Sequence, residues 1–291
     1  MSSIEDKLAL ANDNVPKTYM AGKSGKDITD FSNFCRNGAR IDMLDYLNTS
    51  SATTFESMFE NCTSLTTIPK LNTCNGTKFK RMFYGCYNLT SIPKLDTSKG
   101  ILFVSMFYGC SELTTIPKLD TSKGSNFERM FSDCYNLTSI PQLDTTKGTN
   151  FVSMFYGCYN LTTIPQLNTM NGTSFRNMFS GCTNLVSLPT LDNRSITDIY
   201  GYKNIFTECY GLQSVSFSHP IKYSINLKDN SQLDPYCLQN IIESLYPYDS
   251  ATQTITLSSE SWQALESNIF PPSGSSTWKE YITNVKKWKY A

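Results

Sequence analysis

The stretch FERMFSDCYNLTSIPQLDTTKG, Phe127–Gly148, decides the fold, because the chain keeps repeating it. Its Met130-Phe131 pair recurs as Met58-Phe59, Met82-Phe83, Met106-Phe107, Met154-Phe155 and Met178-Phe179, always 24 residues apart. The shared unit reads F-x-x-M-F-x-x-C-x-x-L-T-x-I-P-x-L-[DN]-T-x-x-G. A weaker copy follows a three-residue insertion and keeps Tyr202, Ile205, Phe206, Cys209, Leu212 and Val215 in the same spacing. A degenerate copy precedes the series: Ile28, Phe31, Cys35, Ile41 and Leu44 match the spacing of Phe55, Met58, Cys62, Ile68 and Leu71. End units of a stacked array face water on one side, so atypical copies belong at its ends.

Each unit has a local reading. Phe127, Met130 and Phe131 stand at i, i+3 and i+4, one face of a short helical turn. A Gly or Asp ends that turn, as in Tyr84-Gly85 and Ser132-Asp133. The segment from Leu137 to Leu143 is rich in β-branched residues and predicts a short strand whose donor row Pro141 interrupts. In the D-T-x-x-G corner, Asp or Asn bonds its own backbone and Gly supplies a positive φ. One strand and one helical turn cannot bury an apolar face alone, but stacked neighbours can. Strand spacing sets a rise of roughly 4.8 Å per coil, so eight coils give a rod of about 40 Å. The predicted fold is an α/β solenoid, a right-handed leucine-rich-repeat coil with one short parallel strand and one helical turn per unit.

Composition agrees and excludes several classes. Of 291 residues, 40% are hydrophobic and 17% charged, enough for a packed core and against global disorder. Lys plus Arg is 25 and Asp plus Glu is 25, so the basic excess of a nucleic-acid binder is missing. No apolar run approaches the ~18 residues of a membrane span. The start, MSSIEDKLALANDN, lacks the basic-then-apolar order of a secretory signal, which implies synthesis and retention in a cytoplasm, or assembly into a particle there.

The M-F-x-G-C-x-x-L-T-x-I-P unit resembles the BspA-type leucine-rich repeat of bacterial surface proteins and their phage-encoded relatives. Met stands where that type usually has Ala, and the Asp-Thr-x-x-Gly corner is closer to a sister family of short surface repeats. The resemblance covers about Ile28 to Ser218. It implies a parallel-sheet solenoid with a binding or adhesive role, and does not say what is bound.

The period stops near Ser218. Tyr223–Leu227 predicts a strand, and Asp234-Pro235 a helix N-cap followed by Leu238, Ile241, Ile242 and Leu245 at helical spacing. Thr252–Leu257 alternates like a strand, and Trp262, Leu265 and Ile269 suggest a second helix. This order resembles the C-terminal caps of phage-associated repeat proteins. Lys287-Trp288-Lys289-Tyr290 stands where those often end in a Gly-Trp-Thr tail. A cap that seals the open strand edge is expected, since a bare edge invites aggregation. The predicted division is residues 1–27, an arm or docking segment with a capping pattern at Ser3–Leu8; 28–218, the solenoid; and 219–291, an α+β capping domain. Within the solenoid, 28–50 is a degenerate cap, 55–198 six regular repeats and 199–218 an irregular one.

Candidate chemistry is sparse. Cys62, Cys86, Cys110, Cys134, Cys158, Cys182 and Cys209 share one slot and predict a buried ladder. Stacked residues point their Cβ atoms in parallel, so free thiols acting as small hydrophobes are expected rather than disulfides. No C-x-x-C pair offers a zinc site, and free thiols fit a reducing compartment. His219 is the only histidine, which removes the usual general base and metal ligand. Asp96, Asp120 and Asp144 are one corner repeated, turn formers before general acids. Asn88 and its copies predict corner hydrogen bonds; their N-x-T context matters for glycosylation only in a eukaryotic secretory pathway. No catalytic, cofactor or metal residue is assigned, and an enzyme is the least expected class.

The remaining signal is aromatic. Tyr84, Tyr108 and Tyr156 follow the Met-Phe pair; Tyr87, Tyr135, Tyr159 and Tyr210 follow the Cys. Other coils hold Glu60, Ser132, Ser180, Thr63, Ser111 or Thr183 there, so the core does not require a ring. Two readings stay open: rings packed along a flank, or a recognition surface. The expected role is a phage virion component (fibre, tail or head decoration), with a bacterial surface or secreted adhesin as the alternative. Expected partners are virion proteins or a host surface receptor, with a glycan or a second copy also in view. Nucleic acid and membrane insertion are not expected.

Overall fold

The computed structural model describes residues 28–38, 41, 47–249, 252–272 and 274–291. The proposed arm over residues 1–27, its capping pattern at Ser3–Leu8, and Leu44 lie outside the described residues.

Successive 24-residue units stack as coils of one solenoid. Inside, each slot forms a ladder. Phe59, Phe83, Phe107, Phe131, Phe155 and Phe179 stack ring on ring with centroids 5.4–5.7 Å apart. Phe55, Phe79, Phe103, Phe127 and Phe151 form a second stack at 5.7–6.0 Å. Met58 and its copies, the Cys slot, and the Leu and Ile slots fill the remaining interior and are buried throughout. Buried Thr73, Thr97, Thr121, Thr145 and Thr169 each donate Oγ1 to a carbonyl of the next coil, at 2.8–3.0 Å. A polar rung inside the array is thus satisfied at every step.

Phe127, Met130 and Phe131 do face inward together, but on a backbone that is not α-helical. Phe127, Arg129, Phe131 and Asp133 donate their N–H groups to Asn150, Val152, Met154 and Tyr156 of the next coil, at 2.7–3.0 Å. Met130, Ser132 and Cys134 between them close tight turns onto residues three back, at 3.1–3.2 Å. This alternation needs a positive φ twice per coil, seen at Arg129 (52°) and Asp133 (59°). A stacked coil must pair its backbone with its neighbours, and that requirement wins over helical i−4 bonding. The parallel pairing likewise sits beside the first Phe, as single bridges through Thr54, Lys78, Leu102, Asn126, Asn150 and Ser174. The expected strand over Leu137–Leu143 makes one backbone bond upstream, Thr138 to Thr114 at 3.1 Å. In the last coils that segment does pair, through Ser187–Ser214 and Leu191–Phe217.

Two readings are corrected. The first coil is set three residues differently from the sequence alignment: Phe31 stacks on Phe55 at 6.3 Å, and Asp30 bridges Thr54. Phe31 therefore occupies the Phe55 slot and Cys35 the Phe59 slot. The corner glycines close tight turns onto the threonine three residues back, at 2.7–2.8 Å, but not through a positive φ. Gly76, Gly100, Gly124, Gly148 and Gly172 have no positive φ; a Cβ on any of them would lie 2.5–2.8 Å from a core phenylalanine ring. They are glycine because the aromatic ladder passes against their backbone.

Beyond the coils, β1 (Ile225–Leu227), β2 (Thr254–Leu257) and β3 (Lys289–Tyr290) form a parallel sheet in the order β1-β2-β3. Helix α1 (Pro235–Glu243) starts where Asp234 accepts the N–H groups of Tyr236 and Cys237. Helix α2 (Ser259–Asn268) is capped by Ser258, and the short α3 (Trp278–Glu280) by Thr277. The seam is closed by specific bonds. Buried Asn230 donates Nδ2 to the carbonyls of Phe206 and Cys209, each at 3.0 Å. It takes the place of the cysteine that a further coil would bring to Phe206.

Candidate functional site

The cysteine slot is closed to chemistry. All ten cysteines are free. Cys86, Cys110, Cys134, Cys158 and Cys182 each turn Sγ onto the carbonyl of a phenylalanine in the preceding coil, at 3.0–3.2 Å. Cys62 and Cys209 do the same at 2.8 and 2.9 Å, with Cys35 and Phe179 as acceptors. The weak thiol donor gives a hydrogen bond, and the sulfur fills the corner. Burial pushes these thiols well above the usual range, holding them protonated and unreactive. Among the described residues, no group of three or more His, Cys, Asp or Glu could hold a metal. His219 is half-buried, with Nδ1 3.4 Å from Asp192, whose carboxylate Arg194 already grips at 2.7–3.0 Å. No helix among the described residues is long and apolar enough to cross a membrane.

One flank differs from the rest. Five successive coils carry YGCYN (84–88), YGCSE (108–112), SDCYN (132–136), YGCYN (156–160) and SGCTN (180–184). The Cys points in; the other slots make a strip of Tyr, Ser, Gly and Asn, with Glu112, Asp133 and Thr183 among them. Tyr87, Tyr135, Tyr156 and Tyr159 are 39–50% exposed, while Tyr84 and Tyr108 are half-buried. The rings are held in order. Tyr84 stacks on Tyr108 with centroids 4.5 Å apart, and Tyr135 on Tyr159 at 4.9 Å. The Arg81 guanidinium covers Tyr84 at 4.2 Å and also pairs with buried Glu60 at 3.1 Å. The rings therefore stack along the flank, and Tyr87, Tyr135, Tyr156 and Tyr159 stay accessible.

Backbone conformation lets neighbouring coils close up on this flank. Gly85, Gly109, Gly157 and Gly181 have φ of 68–79°, with Asp133 in the same slot at 59°. Without a Cβ there, neighbouring coils approach closely: the ring of Tyr87 comes within 3.3 Å of where a Cβ on Gly109 would sit. An amide row edges the strip. Asn136 donates to Glu112 at 3.3 Å, Asn160 to Asn136 at 3.1 Å and Asn184 to Asn160 at 3.3 Å, while Asn88 donates to the carbonyl of Thr63 at 2.7 Å. Loss of water, then a hydrogen bond to the Asp133 carboxylate, pushes the Tyr108 phenol up to about 12. Burial raises the Asp133 carboxyl, against bonds from Tyr108 and Ser132 that lower it.

A second feature lies elsewhere on the coil and was not legible in the sequence. The segments K/Q-L-[DN]-T-x of consecutive coils line an open groove of about 1760 Å³, from Lys70 to Arg194. Its acids are turn formers, as expected. Asp96, Asp120 and Asp144 accept from the backbone N–H and the hydroxyl two residues on, at 2.7–3.0 Å. Those bonds hold the carboxyls below the usual range. Gln142 and Gln166 are likewise tied to backbone carbonyls of the next coil, at 2.6 and 2.9 Å. None of the six tyrosines of the strip lines this groove.

A core of aligned ladders and an exterior that varies from coil to coil define the class of protein: a repeat solenoid closed by a small α/β cap. Residues 26–115 and 87–193 both match the family described as "Mycoplasma protein of unknown function, DUF285". Together these matches span more than half of the chain, which belongs to this family. No curated protein matches the chain. Among solved structures, the T. pallidum leucine-rich repeat protein TpLRR is 18% identical, with a TM-score of 0.41 over 65% of this chain and 75% of that one. A leucine-rich repeat protein from Bacteroides ovatus is 15% identical, with a TM-score of 0.24 over 83% of this chain and 82% of that one.

Proposed function

We propose that this chain is a non-enzymatic binding protein, a leucine-rich-repeat solenoid of the BspA-like kind whose recognition surface is the tyrosine strip. One observation carries the reading. The interior slots are nearly invariant and fully engaged with one another, whereas the tyrosine slots change from coil to coil, and Tyr87, Tyr135, Tyr156 and Tyr159 carry large apolar rings into solvent. Variable positions on a fixed repeat scaffold are where such proteins place recognition. Tyr, Ser, Gly and Asn are also the residues that binding loops favour, because a ring gives contact area at low ordering cost. The double variant Tyr87→Ser, Tyr156→Ser, at two exposed rings, tests it. Partner binding should weaken while the melting temperature holds; a chain that unfolds would show the rings to be core.

The setting we propose is a phage particle, as a fibre, tail or head decoration touching virion proteins or a host receptor. The row of free thiols supports assembly in a reducing compartment. The second setting is an adhesin on a bacterial cell surface; the family description, which names Mycoplasma proteins, supports a cellular source and no more than that. Mass spectrometry of purified particles and of surface fractions separates them. Finding the chain only in the surface fraction would overturn the virion setting.

A further inference from the structure

We infer that the strip takes a neutral linear oligosaccharide laid along the rod. This rests on the reading of the strip as a recognition surface and adds the chemistry of the ligand. Size decides first. Five rows about 4.8 Å apart span roughly 20 Å, and four residue steps across span at most about 13 Å, a footprint on the order of 250 Å². A stable interface with a folded protein takes about 800 Å² per partner. The strip fits a chain, not a domain.

Backbone accounting then separates a peptide chain from a sugar chain. An extended peptide gains its affinity from unpaired main-chain groups on a sheet edge. Here the N–H groups of Gly85, Gly109, Asp133 and Gly157 already donate to the next coil, at 2.7–2.8 Å. The strip offers ring surfaces, phenol hydroxyls and amides instead. Tyr87 and Tyr156, unstacked among the described residues, can cover the apolar C–H faces of a pyranose, and the stacked pairs present ring edges; hydroxyls and amides both donate and accept, as sugar hydroxyls require.

Charge sets the last condition. The acids of the strip, Glu112 and Asp133, are bonded to Asn136 and to Tyr108. Arg81 at its border is committed to Glu60. Arg129, in the same slot two coils on, is exposed, but its charge acts on the Asp133 carboxylate, so the strip carries no excess positive charge for a polyanionic glycan and a neutral chain is selected.

The test is calorimetric titration of the full chain with neutral hexasaccharides: β-1,4-glucose, α-1,4-glucose, β-1,4-N-acetylglucosamine and β-1,4-mannose. Hexagalacturonate is the acidic control. At least one neutral chain should bind, and the Tyr135→Ser, Tyr159→Ser double variant should weaken it by about tenfold or more at unchanged melting temperature. Should that variant lose stability, Tyr156→Ser, whose exposed ring has no stacking partner among the described residues, gives the same readout. Preference for hexagalacturonate, or neutral binding indifferent to these substitutions, overturns the inference. If no neutral chain binds while a protein partner still requires the tyrosines, the sugar assignment falls and the recognition surface stands.

Discussion

Replacing Gly148 by alanine separates packing from turn chemistry. A methyl group there would lie 2.5 Å from Cζ of Phe151, 3.0 Å from the carbonyl of Thr145 and 3.1 Å from Cε2 of Phe127. Phe151 is fully buried and stacked on Phe127 at 5.9 Å, so its ring has nowhere to retreat. With φ outside the left-handed region, the substitution would otherwise gain about 0.4–1 kcal/mol by restricting the unfolded chain. Overpacking a tight core costs about 1–3 kcal/mol, so a net loss of about 1–2 kcal/mol is expected. Urea unfolding followed by circular dichroism reads the loss. Shortening the ring in the same background, Phe151→Leu, should make the two costs less than additive by about 0.5 kcal/mol or more. A higher midpoint for Gly148→Ala alone would refute the steric reasoning, and strict additivity would refute the role of Phe151.

Asn230→Ala should expose the carbonyls of Phe206 and Cys209 and cost about 1–3 kcal/mol. Hydrogen exchange should quicken around residues 202–233 and stay unchanged in the central coils; uniform quickening would contradict a local cap. Tyr108 should titrate late. Its folded pKa of about 12 lies above the ordinary 10, so the folded chain holds the proton more tightly. The stabilisation is complete below pH 10 and is lost as pH rises through 12. Melting temperatures between pH 9 and 12 should fall less steeply in Tyr108→Phe than in the parent chain, and an identical slope would contradict this.

The period, the inward slots and the cysteine ladder were legible because one geometric demand recurs every 24 residues. The helix after Asp234-Pro235 was legible because its cap is written in side chains. The backbone around Phe127, Met130 and Phe131 was not. Their i, i+3, i+4 spacing fits a helix and a run of turns equally well, and the positive φ at Arg81, Ser105 and Arg129 falls on residues that do not advertise it. Gly148 misled for a related reason: glycine serves both left-handed turns and close approach, and only the neighbouring coil reveals which. The register of the first coil failed because Cys35 looks like Cys62 but occupies a phenylalanine slot. The tyrosines were legible as variable slots, but their contiguity depends on which coils become neighbours in the stack. The groove from Lys70 to Arg194 is likewise a property of stacking alone.

Counting reactive thiols in the native and unfolded chain is the most direct check on whether the repeated residues line one continuous interior. Nine of the ten cysteines are buried and Cys74 is half-buried. With a thiol reagent at neutral pH, Cys74 alone should react in the native chain, and all ten after unfolding in guanidinium. Prompt native reaction of Cys110, Cys134 and Cys158 would mean that the coils do not stack in this register.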